Sequence, residues 1–314
     1  LAKWPDYQNW VETFKEGMTY QGHVYGIWAN TDCRPVWWWK EFFPEGIPKT
    51  YEEMIVKAKE LKKKRDPLIA MCVLGGIYPF LIIYDSLVPE ERLKSPGWGL
   101  FKVEDGKWTP MFQDEYGLRA LEMMKEMADS GGIYFGPVGE WSATHDAFCE
   151  KKFSAFLVGN WLTSNLQAKG IKFADYPKLL EVTPFPAPKG GRTHAGNPGG
   201  WCGVIPKAAK LSENLIWEFV TYIVSLELQG TVYPKVGFLP TRKDAYPLFE
   251  ESAEDPFSKE YVKMFERTYI RPEMTEWERI AKFLDDMAWE VILGKKTPKQ
   301  ALEDAANKIS VILE

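Results

Sequence analysis

The residues best suited to chemistry in this sequence are one carboxylate and a set of indoles. Asp32 stands in a short polar interruption, Asn30 to Asp32, between two aromatic stretches. A carboxylate there can accept hydrogen bonds from two ligand hydroxyls; the other reading is a loop acid paired with Arg34. Trp201 follows Gly199 and Gly200, and glycine lets a backbone approach a ligand closely. An aromatic wedge at a hinge fits the same residues. Fourteen Trp and fourteen Tyr are far more rings than charge-based recognition needs. Most must be core, yet an excess of flat rings with polar edges is what a carbohydrate surface uses. Other chemistries are missing. His23, His145 and His194 are scattered, without HExxH spacing, so no metal site is expected. There is no P-loop and no GxSxG, and Gly190 to Arg192 lacks the strand–helix context of a phosphate loop. Cys33, Cys72, Cys149 and Cys202 show no CxxC spacing; buried thiols and one oxidised pair both remain open. No cofactor is expected.

These residues need elements to hold them. From His23 to Ala29 side chains alternate, which predicts a strand covered on both faces. The polar break at Asn30 to Asp32 predicts an exposed crossing, and Arg34 to Trp39 resumes as a strand opening at Pro35. Gln8 to Gly17 reads as a short helix. Thr50 and Glu53 form a capping box ahead of a helix whose last turn, Lys62 to Arg65, is basic. Leu68 to Val73 reads as a buried strand broken at Gly75 and Gly76, with a packed helix from Ile77 to Tyr84. Asp105 and Gly106 mark a hairpin turn. Further helices are predicted over Asp114–Ala128, Trp141–Lys152, Ser212–Leu228, Phe257–Tyr269, Glu276–Leu293 and Pro298–Leu313. The last is opened by Thr297, Pro298 and Gln300. Phe153–Val158 reads as a buried strand that Gly159 and Asn160 turn into a helix at Trp161, and strand carboxyl ends are where open α/β sheets bind ligands. Alternating strands and helices give an α/β class.

The chain has 314 residues, 45% of them hydrophobic, enough for two cores. A net charge of −5 argues against nucleic acid or an anionic membrane as partner. No apolar run is long enough to span a bilayer, and no leader is visible after Leu1.

Five stretches together resemble a known family: Tyr20 to Leu61, Ala155 to Trp161, Gly199 to Lys207, Gly237 to Lys243, and Arg271 to Leu302. In this order they are similar to the family 1 extracellular solute-binding proteins of ABC importers, the maltose-binding-protein-like group. The resemblance implies a two-lobe, class II periplasmic-binding-protein-like fold that closes by hinges near residues 31–34, 197–201 and 250–256. One lobe would take 1–31 and 202–250, the other 34–197 and 256–314. It implies an oligosaccharide ligand, an ABC permease as partner, an extracytoplasmic place and a monomer. It also implies that Asp32 is a ligand position, that Trp161 stacks on a sugar ring, and that Trp201 with Gly200 lies on the second crossing. Tyr78 falls where relatives offer a contact. Trp277 opens a helix near the cleft, although its spacing with Ile280, Leu284 and Met287 also fits plain core. Arg34 reads as a support for Asp32, and Asp255 as a hinge or cap residue. Members of the family normally open with several strand–helix units that this sequence does not contain, so the first lobe is expected to be partial and poorly covered.

An enzyme is the second reading. A glycoside hydrolase needs two carboxylates at a set separation. Asp32 is alone in its segment, and nothing ties Glu140 or Asp146 to it; the sequence also lacks the eight strand–helix repeats of a barrel. A non-sugar solute such as a polyamine would want more acids than can be placed.

Overall fold

The structure, a computed structural model, describes residues 3–64, 71–74, 76–95, 97–136, 141–193, 198–265 and 274–314. The chain forms two compact units. The first comprises Leu1–Cys33, Gly159–Pro177 and Pro198–Glu266, the second Arg34–Val158, Lys178–Asn197 and Arg267–Glu314. Six segments alternate, so the chain changes unit five times, not the three expected. Trp161 accordingly sits in the first unit, not in the second as the sequence suggested.

The first unit has little sheet. A hairpin pairs β1 (Thr19–Tyr20) with β2 (His23–Val24), and Gln21 and Gly22 take positive φ at its turn. Strand β3 (Ile27–Thr31) pairs antiparallel with β11 (Gly200–Gly203). Thr31 also bridges to Leu239. The alternation expected through Gly26 fails: Tyr25 is exposed, while Ile27 and Ala29 to Thr31 are buried. Asn30 and Thr31 therefore belong to the strand and are not an exposed crossing. The expected helix over Gln8–Gly17 divides into a 3-10 turn, Pro5–Asn9, and a helix, Glu12–Glu16, with Trp10 between them bridged to Arg242. Trp10 is fully buried; its Nε1 donates to the Trp28 carbonyl at 2.8 Å and its ring lies under the Arg242 guanidinium. The helix Glu213–Ile223 is capped by Ser212, as expected.

The second unit carries a five-stranded sheet, ordered β10 (Leu180–Thr183), β4 (Val36–Trp39), β9 (Ala155–Leu157), β5 (Met71–Leu74) and β8 (Ile133–Gly136). The β4 pairings are antiparallel and those among β9, β5 and β8 parallel. All four β4 side chains are buried, as a sheet covered on both faces requires. Two of its indoles find acceptors: Trp38 Nε1 donates to Thr183 Oγ1 at 2.8 Å and Trp39 Nε1 to the Phe148 carbonyl at 2.9 Å. Helices Tyr51–Lys64, Ile77–Leu87, Glu115–Asp129, Trp277–Ile292 and Pro298–Leu313 build the core around this sheet. The Thr297 capping box forms as expected. At Thr50 the hydroxyl takes the Glu53 amide at 3.2 Å, but Glu53 reaches back to the amide of Lys49, one residue earlier than expected. A second hairpin joins β6 (Phe101–Glu104) to β7 (Lys107–Pro110), with Asp105 and Gly106 at positive φ. The strand start expected at Leu68 and the break at Gly75 lie outside the described residues, as do His194, Glu140 and the start of the closing region at Arg271.

Candidate functional site

In the first unit the candidates gather where β3 meets β11. Three consecutive polar residues at the end of β3 and just beyond it fasten the incoming segment. Asn30 Oδ1 accepts from the Trp201 amide at 3.3 Å. Thr31 Oγ1 donates to the Gly199 carbonyl at 2.9 Å. Asp32 Oδ1 accepts from the Gly199 amide at 3.1 Å. Asp32 is buried, not held out in an open loop, because this amide and its neighbours replace the water a carboxylate would otherwise require. Gly200 has a different reason for being glycine than close approach to a ligand. Its φ is +139°, and a Cβ would sit 2.1 Å from the Asn30 carbonyl oxygen, so its missing side chain makes room for β3. Trp201 follows at a β-bulge and leaves its ring 71% exposed. An indole that open on a short strand offers its apolar face to whatever arrives.

Trp161 opens the helix Leu162–Ala168 and is half-buried. Its ring folds back over Gly159, where a Cβ would lie 1.8 Å from the indole. Asn160, which the sequence reading passed over, fixes this turn. Its Oδ1 accepts from the Cys33 amide at 3.0 Å, its own amide donates to the Cys33 carbonyl at 3.1 Å, and its Nδ2 donates to the Gly237 carbonyl. The residue beside Asp32, the residue before Trp161 and the turn at Gly237 are thereby tied together. Its position between Gly159 and Trp161 was the available signal. A second buried cluster lies on the same helix. Asp255 accepts from Thr163 Oγ1 at 2.6 Å, the Phe257 amide at 2.9 Å and Tyr261 Oη at 3.2 Å. Burial pushes the Asp255 carboxyl above the ordinary carboxylate range despite these donors. Asp255 is thus a cap residue, as expected, with a wider role in joining Gly159–Pro177 to this unit.

In the second unit Arg34 lies with its guanidinium carbon 4.5 Å from the centre of the half-buried Tyr78 ring, a cation–π contact. Tyr78 is on the first turn of Ile77–Leu87, whose leading amides, Gly76 and Ile77, both donate to Asp285 Oδ1 at 3.1 Å. Asp285 carried no sequence signal; it reaches this helix end from the helix Trp277–Ile292. Trp277 itself is 6% exposed and belongs to the hydrophobic core with Ile280, Leu284 and Met287, so the structure assigns it to packing and not to a ligand surface. His145 is buried with its ring edge against Phe156. Cys33, Cys149 and Cys202 are reduced thiols, the first two buried and the third exposed. Among the described residues no group of His, Cys, Asp and Glu could hold a metal ion. No described helix is long and apolar enough to cross a membrane.

Comparison with known proteins agrees with this architecture. Residues 1–266 match the family described as bacterial extracellular solute-binding protein. The maltooligosaccharide ABC transporter solute-binding lipoprotein of Streptococcus pneumoniae serotype 4 is 27% identical over 162 residues, 52% of this chain and 36% of that protein. The galactooligosaccharide-binding protein of Bacillus subtilis is 24% identical over 297 residues, 90% of this chain and 64% of that protein. The matched part of this chain therefore spans only about a third to two thirds of the length of these relatives. Among solved structures, the GacH receptor of Streptomyces glaucescens superposes with a TM-score of 0.81 at 22% identity, covering 98% of this chain and 76% of that one. A solute-binding protein of Thermotoga lettingae, solved with α-D-tagatose, gives 0.79 at 21% identity, covering 100% and 78%. Both share the α/β fold described above. With its family profile matched over most of its length, the chain belongs to the bacterial extracellular solute-binding proteins.

Proposed function

We propose that this chain captures an oligosaccharide outside the cytoplasm and hands it to the permease of an ABC importer, breaking no bond in it. The observation that carries the reading is the exposed Trp201 ring, presented by a strand that Asn30, Thr31 and Asp32 lock in place. Family membership supports solute binding, and the ligands for which the relatives are named, maltooligosaccharide and galactooligosaccharide, support a saccharide. In this reading Trp201 and Trp161 stack on sugar faces in the first unit. Asp32 pairs with ligand hydroxyls in addition to the Gly199 amide. Taken by itself, the second unit offers the Tyr78 ring, held by Arg34, as a sugar platform of its own. Stacking supplies affinity, and pairing of hydroxyls supplies discrimination, since a buried hydroxyl left unpaired is costly.

Calorimetric titration of the 314-residue chain with maltose, maltotriose, acarbose and galactooligosaccharides tests this. The expected result is saturable binding of at least one of them, weakened at least tenfold, about 1.4 kcal/mol, by Trp201→Ala. Trp161→Ala is expected to act in the same direction. No binding across the panel, or release of reducing sugar on incubation, rejects the reading; the second outcome favours the hydrolase.

A further inference from the structure

The Trp161 ring fills space that any residue but glycine would take at position 159. A Cβ on Gly159 would have the Trp161 ring atoms Cζ3, Cε3 and Cη2 as its three nearest neighbours, at 1.8, 2.1 and 2.3 Å. Carbon atoms in van der Waals contact stand about 3.5–4.0 Å apart, so a side chain at 159 and the benzo half of this indole exclude each other. Other crowded glycines differ. At Gly117, Gly132 and Gly200 the nearest atom is a backbone oxygen, of Phe112, Ala58 and Asn30, so those glycines make room for chain. Gly159 makes room for a side chain. Its φ lies outside the left-handed region, so backbone strain is not what calls for glycine here.

The backbone around the ring is fixed on both sides. Before it, the Asn160 amide donates to the Cys33 carbonyl at 3.1 Å, and Asn160 Oδ1 accepts from the Cys33 amide at 3.0 Å. After it, Thr163 Oγ1 donates to the buried Asp255 carboxyl at 2.6 Å. Between these anchors the Leu162 amide donates to the Gly159 carbonyl at 3.1 Å and the Ser164 amide to the Trp161 carbonyl at 3.0 Å. With its backbone held, the indole moves only about its side-chain torsions, and what stands at 159 decides which rotamers are open to it.

We infer that Gly159 is a positioning residue for ligand capture: its bare backbone seats the Trp161 ring in the orientation that meets a sugar face, and a side chain at 159 turns the ring out of it. Gly159 thus acts on the ligand only by way of Trp161. The ligand half of this inference rests on the saccharide reading above; the seating of the ring does not.

A double-mutant cycle tests it, because the clash needs both side chains. Gly159→Ala, Trp161→Ala and the double variant are titrated calorimetrically with maltose, maltotriose, acarbose and galactooligosaccharides, with Trp201→Ala as a reference. The same proteins are labelled with 5-fluorotryptophan, and the fluorine resonance that Trp161→Ala removes is that of Trp161. Gly159→Ala is expected to move this resonance and to weaken binding about fivefold or more, as Trp161→Ala does. Once Trp161→Ala has removed the ring, adding Gly159→Ala is expected to change affinity by less than about twofold and to leave the urea midpoint where it was. An unmoved Trp161 resonance in Gly159→Ala overturns the inference, as does a moved resonance with full affinity. A loss of the same size on the Trp161→Ala background also overturns it, by placing the role of Gly159 in its backbone. Weakening by Trp201→Ala alone overturns it too, and leaves the saccharide reading standing on Trp201. If no sugar of the panel binds the unmutated chain, the saccharide reading falls, and the resonance decides the seat: movement upholds it and its absence overturns it.

Discussion

The two units solve the same problem with unequal means. The second wraps a five-stranded sheet in helices, and β4, between β10 and β9, is buried on both faces. Among the described residues the first has two two-stranded ladders, several short helices, one of which, Glu213–Ile223, has a single fully buried residue, and an open edge on β11. Beside buried rings such as Trp10, Phe14 and Tyr261, polar side chains tie distant segments of the first together. The groups of Asn30, Thr31, Asp32, Asn160, Thr163 and Asp255 are each spent on a distant backbone or hydroxyl. The second adds a large apolar core to its sheet, while the first leans more heavily on hydrogen bonds whose removal leaves buried groups unpaired. The candidate ligand groups of the first unit are set by this polar stitching, so their geometry depends on backbone hydrogen bonds more than on packing.

Substitutions that attack one means and not the other make the contrast measurable. Trp38→Ala removes a fully buried indole and its bond to Thr183, and is expected to cost the second unit about 3–5 kcal/mol. Urea denaturation followed by circular dichroism reads it. A loss under about 1 kcal/mol would mean that the sheet core repacks freely, and the contrast would fail on that side. Gly200→Ala attacks the stitching. A Cβ meets the Asn30 carbonyl at 2.1 Å in a backbone conformation that side chains avoid, for an expected cost on the order of 1–3 kcal/mol. Hydrogen exchange should quicken over Ile27–Thr31 and Gly200–Gly203 while β4 and β9 keep their protection. Equal loosening of both units would show that they do not differ as described.

What was legible in the sequence follows the same division. Features decided within a few residues were readable: the Thr297 capping box, the Asp105–Gly106 turn, the Ser212 cap and the strand opening at Pro35. Trp37 to Trp39 were recognisable as core from their apolar run. Trp201 carried two compatible readings, a ligand contact and a wedge at a hinge, and the glycines before it could not choose between them. The fate of Asp32 was not readable, because the amide that buries it belongs to Gly199, far along the chain. For the same reason the sequence does not distinguish a Gly200 that makes room for a ligand from one that makes room for β3, as this one does. Trp277 carried two compatible readings, and helical spacing alone could not choose between them. The placement of Gly159–Pro177 in the first unit turns on Asn160 and on Thr163 with Asp255, side-chain pairings that leave no periodic trace.

Acidity offers a subtler separation. Burial raises the carboxyl of Asp255 in the first unit, and raises that of Asp85 in the second, where nearby Arg192 opposes the shift. A carboxyl that is more basic when folded binds more protons than in the unfolded chain, so stability falls as pH rises from the ordinary carboxylate range through the raised value. Both units should therefore weaken over that window. Asp255→Asn should flatten the slope for the first unit alone and leave that of the second, as resolved by hydrogen exchange at several pH values. A slope that persists in the first unit would assign it to another group.

The smallest expected effect tests the comparison most sharply. Phe219 is a large apolar side chain, and in a completed interior its loss would rank with that of Trp38. In the 314-residue chain its ring is 62% exposed, so Phe219→Ser removes few contacts and should change stability by no more than about 0.5 kcal/mol. The serine also lowers the area of bare apolar surface, so self-association at high concentration should decrease, as read by light scattering. A large cost in the 314-residue chain would mean that Phe219 is already covered within it, and the first unit would then be as closed as the second.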